Sequence, residues 1–104
     1  MAAKQAAEKL ISEHIVAVFS KSHCHYCTRA KATLSSLSLP ASKIGIIELD
    51  NEGSHGAEIQ AYLAEKTQQR TVPNIFINGK HIGGNDALQQ INQSGELKKL
   101  IAAS

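Results

Sequence analysis

Five apolar residues in a row, Ile15-Val16-Ala17-Val18-Phe19, interrupt the mixing of polar and apolar positions early in the chain. Continuous apolarity with β-branching predicts a strand buried on both faces, as in a sheet with helices above and below. Before it, residues 2–13 are rich in Ala, Gln, Glu and Lys, which are strong helix formers. After it the period changes. From a start near Cys24, the residues Cys27, Ala30, Leu34 and Leu37 step by three, four and three along one helical face. Thr28, Arg29, Lys31 and Ser35 fall on the other. Pro40 closes that region, and Ile44 to Leu49 predicts a second strand. Asn51-Glu52-Gly53-Ser54 is a turn cluster. Ser54 is expected to cap a helix running to about Lys66, with Ile59 and Leu63 facing inward.

The second half opens on a hairpin signal: Asn74-Ile75-Phe76-Ile77, then Asn78-Gly79, then Lys80-His81-Ile82-Gly83. Asn-Gly suits the two left-handed positions of a type I′ turn. Gly84-Asn85-Asp86 then opens a helix to about Gln93. Gly95 separates a last helix, in which Leu97, Leu100 and Ile101 share a face. The predicted order is α-β-α-β-α-β-β-α-α. One βαβ unit plus a hairpin gives an α/β fold: a four-stranded mixed sheet with helices on both faces. No repeat or linker divides the chain, so residues 1–104 are expected to form a single domain.

Composition narrows the class of function. Apolar residues make up 42% and charged residues 19% of the chain, an ordinary globular balance. The formal charge of +2 is scattered and carries little aromatic interleaving, so no nucleic-acid partner is expected. No apolar stretch approaches the length of a membrane span, and no membrane partner is expected. The first residues carry Glu8 and Glu13 and lack the apolar core of a secretory signal. Two cysteines make a poor disulfide framework, whereas one C-x-x-C inside a βαβ pattern fits a cytoplasmic redox protein.

Both cysteines lie in Lys21-Ser22-His23-Cys24-His25-Tyr26-Cys27. A helix beginning there puts Cys24 at its N-terminus, where unpaired N–H groups and the helix dipole favour an anion. The thiolate is the nucleophile, and helix N-termini and nearby cations lower its pKa. Cys24 is therefore the candidate nucleophile, Lys21 a cation close enough to help, and Cys27 the partner that resolves a mixed disulfide. Two other readings compete. The cysteines could be core packing, which the context directly after a buried strand disfavours. Or His23, Cys24, His25 and Cys27 could hold a metal. A structural zinc site usually draws on two separated pairs, and adjacent residues entering a helix diverge, so no metal site is expected.

Two other segments should expose backbone. Thr71-Val72-Pro73 precedes a strand, and a turn there would leave the N–H and C=O of Val72 free to pair with a peptide. Gly83-Gly84-Asn85-Asp86 lets a ligand approach and offers helix N-terminal donors to a carboxylate, with Asp86 available for an ammonium group. Taken alone, each segment reads better as an ordinary turn. Lys21, Gln60 and Arg70 are polar groups that this fold could bring to the same rim, and Tyr26 lies inside the active loop.

Together K-x-x-C-x-Y-C, then R-T-V-P-N-I-F-I-N-G, then G-G-N-D resemble a glutaredoxin, over nearly the whole chain from about Ile15. The resemblance implies a thioredoxin-like three-layer α/β/α sandwich and a monomer. It also implies glutathione-dependent reduction of protein disulfides and glutathionylated proteins. It assigns attack to Cys24 and resolution to Cys27. It assigns glutathione binding to Lys21, Tyr26, Gln60, Arg70, Thr71, Val72, Pro73, Gly84, Asn85 and Asp86. The chain departs from the commonest dithiol pattern at His25, where proline is usual. Histidine there either tunes the Cys24 thiolate together with Lys21 or points into water. Loss of that proline also opens an alternative, a [2Fe–2S] cluster shared between two subunits with glutathione supplying the other thiolates. A thioredoxin-type reductase working without glutathione is disfavoured by the anion-ready Lys21 and Gly84–Asp86 segments.

Overall fold

In the computed structural model, residues 2–103 are described; Met1 and Ser104 lie outside them. The elements are α1 (Ala2–Glu13), β1 (Val16–Ser20), α2 (His25–Ser35), β2 (Ile44–Glu48), α3 (Gly53–Thr67), β3 (Asn74–Ile77), β4 (Lys80–Gly83), α4 (Asn85–Ser94) and α5 (Glu96–Ala102). Short 3₁₀ turns at Ala41–Lys43 and Leu49–Asn51 flank β2. This is the expected order. The strands lie in the order β2-β1-β3-β4. β1 runs parallel to β2, with α2 as the crossover, and antiparallel to β3, which forms the hairpin with β4.

Alternation along the central strands sorts side chains into two cores. Ala17 and Phe19 of β1 and Phe76 of β3 face α1 and α3, where they meet Ala3, Ala7, Ile11, Ile59 and Leu63. Val16, Val18, Ile75 and Ile77 face the other way, onto Ala30 and Leu34 of α2, Leu88 of α4 and Leu97 of α5. Both faces of β1 are covered, and all five of its residues are buried, which is why its sequence does not alternate. Phe19 and Phe76 meet edge to face, with centroids 5.9 Å apart at 82°. The architecture is the thioredoxin-like three-layer sandwich.

Several boundaries differ from the sequence expectation. β1 begins at Val16 and takes in Ser20, so Ile15 falls outside it. Leu49 leaves the β2 ladder for a 3₁₀ turn that carries its side chain into the core. Ser54 does not cap α3: the 3₁₀ turn runs almost directly into the helix, Glu52 occupies the cap position, and no side chain bonds there. The hairpin turn is as expected, with positive φ at Asn78 (53°) and Gly79 (79°).

The register sets the stage for chemistry. Phe19 at the end of β1 pairs with Asn74 at the start of β3, and Ile75 pairs with Gly83 at the end of β4. The loops 21–24, 71–73 and 83–86 therefore meet at one end of the sheet, although they are far apart in sequence.

Candidate active site

Cys24 is the N-cap of α2, with extended backbone (φ −95°, ψ 122°) and no side-chain cap. Its carbonyl accepts the Thr28 N–H at 3.0 Å, and its own N–H donates to the Lys21 carbonyl at 3.2 Å. The side chain is partly exposed and reduced, as is that of fully buried Cys27. Cys24 Sγ faces the Val72 carbonyl at 3.8 Å, across the cis peptide bond that joins Val72 to Pro73.

Burial pushes the Cys24 thiol up. Against it act the backbone N–H of Cys27, the Cys27 side chain, the backbone N–H of Tyr26 and the charge of Lys31. They prevail, and Cys24 is held below the ordinary cysteine value. The first-turn amides are the helix N-terminal donors that the C-x-x-C spacing implied. A cation that adds to them is Lys31, two turns into α2, which no sequence signal singled out. Cys27 is shifted the opposite way, raised chiefly by burial and further by the neighbouring Cys24 sulfur; the Lys21 backbone N–H and the Ser20 hydroxyl oppose that shift. The two sulfurs are thus shifted apart, Cys24 toward the thiolate and Cys27 toward the thiol.

The wall beyond Cys24 is an open groove of about 550 Å³ lined by Tyr26, Gln69, Thr71, Val72, Pro73, Gly84, Asn85, Asp86 and Ala87. Six expected site residues meet here beside Tyr26's exposed ring, over which the Arg29 guanidinium sits 5.9 Å from the centroid. Gly84 is the N-cap of α4, and Gly83 before it has φ 124°, a conformation that favours glycine. Asn85 is turned inward: it is 7% exposed, and its Oδ1 accepts from Gln89 Nε2 at 3.1 Å. Its contribution to the groove therefore comes mainly from backbone. Asp86 is exposed.

Lys21 and Gln60 face a neighbouring hollow of about 210 Å³ with His23 and Asp50, and Gln60 also shares a hollow with Arg70, whose carbonyl accepts Gln60 Nε2 at 2.9 Å. Asp50 holds the loop before Cys24. It accepts the Ser22 N–H at 3.0 Å and the Ser22 hydroxyl at 2.5 Å, and His23 Nδ1 lies 3.3 Å away. The Ser22 hydroxyl bond in particular lowers the Asp50 pKa. His23 thus leans toward Asp50, and His25 is exposed on the first turn of α2. Among the described residues, no group of three or more His, Cys, Asp or Glu side chains is arranged to hold a metal ion.

Gln69 is a site residue without a sequence signal of its own. Its Nε2 donates to the carbonyls of Thr71 (3.0 Å) and Pro73 (2.9 Å), fastening both sides of Val72. Its Oε1 meets His81 Nε2 at 3.1 Å, and that nitrogen also lies 2.9 Å from Asn74 Oδ1. Burial holds the His81 pKa below its ordinary value. Only the fold, by pairing β3 with β4, brings residues 69, 74 and 81 together.

Residues 16–82 match the glutaredoxin family model. Glutaredoxin-1 of Rhizophagus irregularis is 54% identical over 100 residues, which is 96% of this chain and 95% of that protein. Glutaredoxin-1 of Saccharomyces cerevisiae is 52% identical over 93 residues, covering 88% of this chain and 84% of that one. Among solved structures, a buckwheat glutaredoxin–glutathione complex superposes with a TM-score of 0.90 at 41% identity, covering 98% of this chain and 89% of that chain. The holo form of poplar glutaredoxin C1 gives 0.89 at 41% identity, covering 99% and 98%.

Proposed function

The chain belongs to the glutaredoxin family and is a thiol–disulfide oxidoreductase; we propose that its reductant is glutathione and that its substrates are protein–glutathione mixed disulfides and protein disulfides. The observation that carries this reading is the position of the Cys24 sulfur, 3.8 Å from the Val72 carbonyl and beside a groove with free backbone on one side and a helix N-terminus on the other. A glutathionyl group is a short peptide with a sulfur in its middle. Its cysteinyl part would pair with the Val72 backbone as an added strand. Its γ-glutamyl end would meet the first amides of α4 and the Asp86 carboxylate. Its glycine carboxylate would reach Lys21, Gln60 and Arg70. That a buckwheat glutaredoxin was solved as a complex with glutathione supports glutathione as the ligand.

The Cys24 thiolate attacks the glutathionyl sulfur, a Cys24–glutathione disulfide forms, and the protein sulfur leaves with the electron pair and takes a proton from water. A second glutathione, as thiolate, attacks the bound glutathionyl sulfur and returns Cys24 as thiolate. For a protein disulfide, Cys24 first forms a mixed disulfide with the substrate, and Cys27 attacks Cys24 to release it. We assign this work to the cytoplasm, where the glutathione pool is reducing, and to the monomer. For a shared [2Fe–2S] cluster, the burial of Cys27 leaves Cys24 as the one accessible cysteine that each copy would contribute.

Turnover of a glutathionylated protein by wild type and two variants tests the reading. Cys24→Ser is expected to lose glutathione-dependent turnover by a factor of about 10³ or more, and Cys27→Ser to keep deglutathionylation while losing reduction of protein disulfides. Full activity in Cys24→Ser removes the assignment.

A further inference from the structure

Gln69 is not among the residues that the glutathione pairing itself would use, yet it lines the same groove. Its side-chain amide is fully committed at the nitrogen. The two hydrogens on Nε2 go to the carbonyls of Thr71 at 3.0 Å and Pro73 at 2.9 Å. Neither is left for a ligand. The carbonyl between those two, that of Val72, is left to face Cys24 Sγ at 3.8 Å. The amide thus holds the residues on both sides of Val72 and leaves Val72 itself turned to the sulfur.

The other end of the amide is held as well. His81 Nε2 lies 3.1 Å from Gln69 Oε1 and 2.9 Å from Asn74 Oδ1. Both oxygens only accept, so Nε2 carries the hydrogen and shares it between them. Turned over, the Gln69 amide would set its own N–H groups against that N–H and its oxygen against two carbonyls, so the network admits one orientation. Asn74 is fixed in the same sense, its Nδ2 donating to Thr67 Oγ1 at 3.5 Å, and that hydroxyl oxygen also accepts the Gln69 backbone N–H at 3.1 Å. His81 is braced in turn by its ring, which packs on buried Phe76 with centroids 5.2 Å apart. A row of contacts therefore runs from the core at Phe76, through His81 and Gln69, to the loop that faces Cys24. It also borders the far wall of the groove: a Cβ placed on Gly84 would lie 3.9 Å from Gln69 Nε2 and 3.6 Å from the Pro73 carbonyl.

We propose that Gln69, oriented by His81, is a positioning residue that sets the Val72 backbone for pairing with a glutathionyl peptide, a role that rests on the glutathione reading above. Gln69 acts through Val72, and His81 acts through Gln69. The row therefore matters for substrates that pair with backbone, and not for those that present a disulfide alone.

Two disulfides separate these cases. In a Cys27→Ser background, where attack by Cys24 is the one thiol step left, single-turnover rates are measured with a glutathionylated peptide and with bis(2-hydroxyethyl) disulfide, which carries no peptide group. The ratio of the two, divided by the same ratio for free N-acetylcysteine, is the preference for the glutathionyl group. Gln69→Glu keeps the shape but, ionised, loses both hydrogens that Nε2 donates. Gln69→Met keeps the length with neither donor nor charge. Each is expected to lower the preference about tenfold, the effect of two lost hydrogen bonds. The rate with the hydroxyethyl disulfide and the pH midpoint of Cys24 alkylation by iodoacetamide should stay as in the background protein. His81→Phe keeps a ring on Phe76 without the N–H. It should lower the preference about threefold, and lower it no further in the Gln69→Met protein. An unaltered preference in both Gln69 variants overturns the positioning role. So does an equal loss with both disulfides, because Gln69 would then hold the site as a whole. A His81→Phe loss that persists in full in the Gln69→Met protein overturns the route through Gln69. A background protein with no preference for the glutathionylated peptide instead sinks the glutathione reading on which the proposal rests.

Discussion

At Cys24, burial and hydrogen bonding oppose each other, and hydrogen bonding prevails. Two of the groups that hold the thiolate are backbone amides of Tyr26 and Cys27, which any sequence entering a helix here would supply. This bears on His25, whose side chain is exposed on the first turn. Proline in its place would remove the His25 N–H but neither of those amides. His25→Pro is therefore expected to leave the pH dependence of Cys24 alkylation by iodoacetamide nearly unchanged. Lys31→Ala removes a charge that favours the anion, so the Cys24 pKa rises and the thiolate fraction at neutral pH falls. Alkylation there should slow roughly two- to fivefold, the range of a solvent-screened ion interaction. An equal or larger effect from His25→Pro would return the tuning role to the histidine. The placement of the two cysteines, Cys24 partly exposed at the start of α2 and Cys27 buried one turn in, was legible because a C-x-x-C entering a helix after a buried strand sets both positions. Lys31 was not, because a lysine on the outer face of a helix looks the same whether or not it faces a sulfur. Ser20 and Glu48 lie 28 residues apart and meet only through strand pairing.

The elements themselves were readable wherever period and punctuation agreed. β1 showed as an unbroken apolar run, the hairpin as Asn-Gly, and α2 as a three-four-three step. Edges failed where neighbouring segments override local preference, as at Leu49 and Ser54. Contacts between elements were hidden altogether, and α1 with α3 shows why. Tyr62 donates its hydroxyl to Glu8, which also pairs with Lys66 Nζ at 2.9 Å. No spacing rule links position 8 to position 62. The bond to Glu8, with burial and the Glu8 charge adding to it, pushes the Tyr62 pKa up to about 12. A raised folded value means that the stabilisation is complete below the ordinary tyrosine value of 10.0 and is lost as pH rises through about 12. Glu8 has the opposite sign. Lys66 and Tyr62 lower it, so its contribution is present above the ordinary 4.5 and fades as pH falls through the lower folded value. Glu8→Ala should shift the Tyr62 phenolate absorbance step, identified by its loss in Tyr62→Phe, to lower pH. At neutral pH it should reduce stability by up to about 1 kcal/mol, since the pair is well exposed. An unmoved phenolate step would show that Tyr62 and Glu8 are not bonded in solution.

For the molecule as a whole, the two cores share their central strand. Phe19 and Ala17 belong to one, Val16 and Val18 to the other, and the same strand delivers Ser20 and the loop to Cys24. Neither face can be lost while β1 stays ordered, so the layers should unfold together and take the thiolate site with them. Ile59→Val on the α1–α3 side is expected to cost about 0.5–1.5 kcal/mol, and Leu88→Ala on the other side about 2–5 kcal/mol. The two side chains occupy separate clusters on opposite faces of the sheet, so their costs should add to within about 0.5 kcal/mol in the double variant. Urea unfolding should remain a single transition with an unchanged slope in all three proteins. The enhanced alkylation of Cys24 at neutral pH should vanish in that same transition, because the amides, Val72 and Lys31 that surround the sulfur are fixed only by the assembled sheet and helices. Two separated transitions, or a Cys24 that keeps its reactivity after the Leu88 side has melted, would mean that one layer suffices to hold the nucleophile. The shared strand would then be a connection between two independent halves.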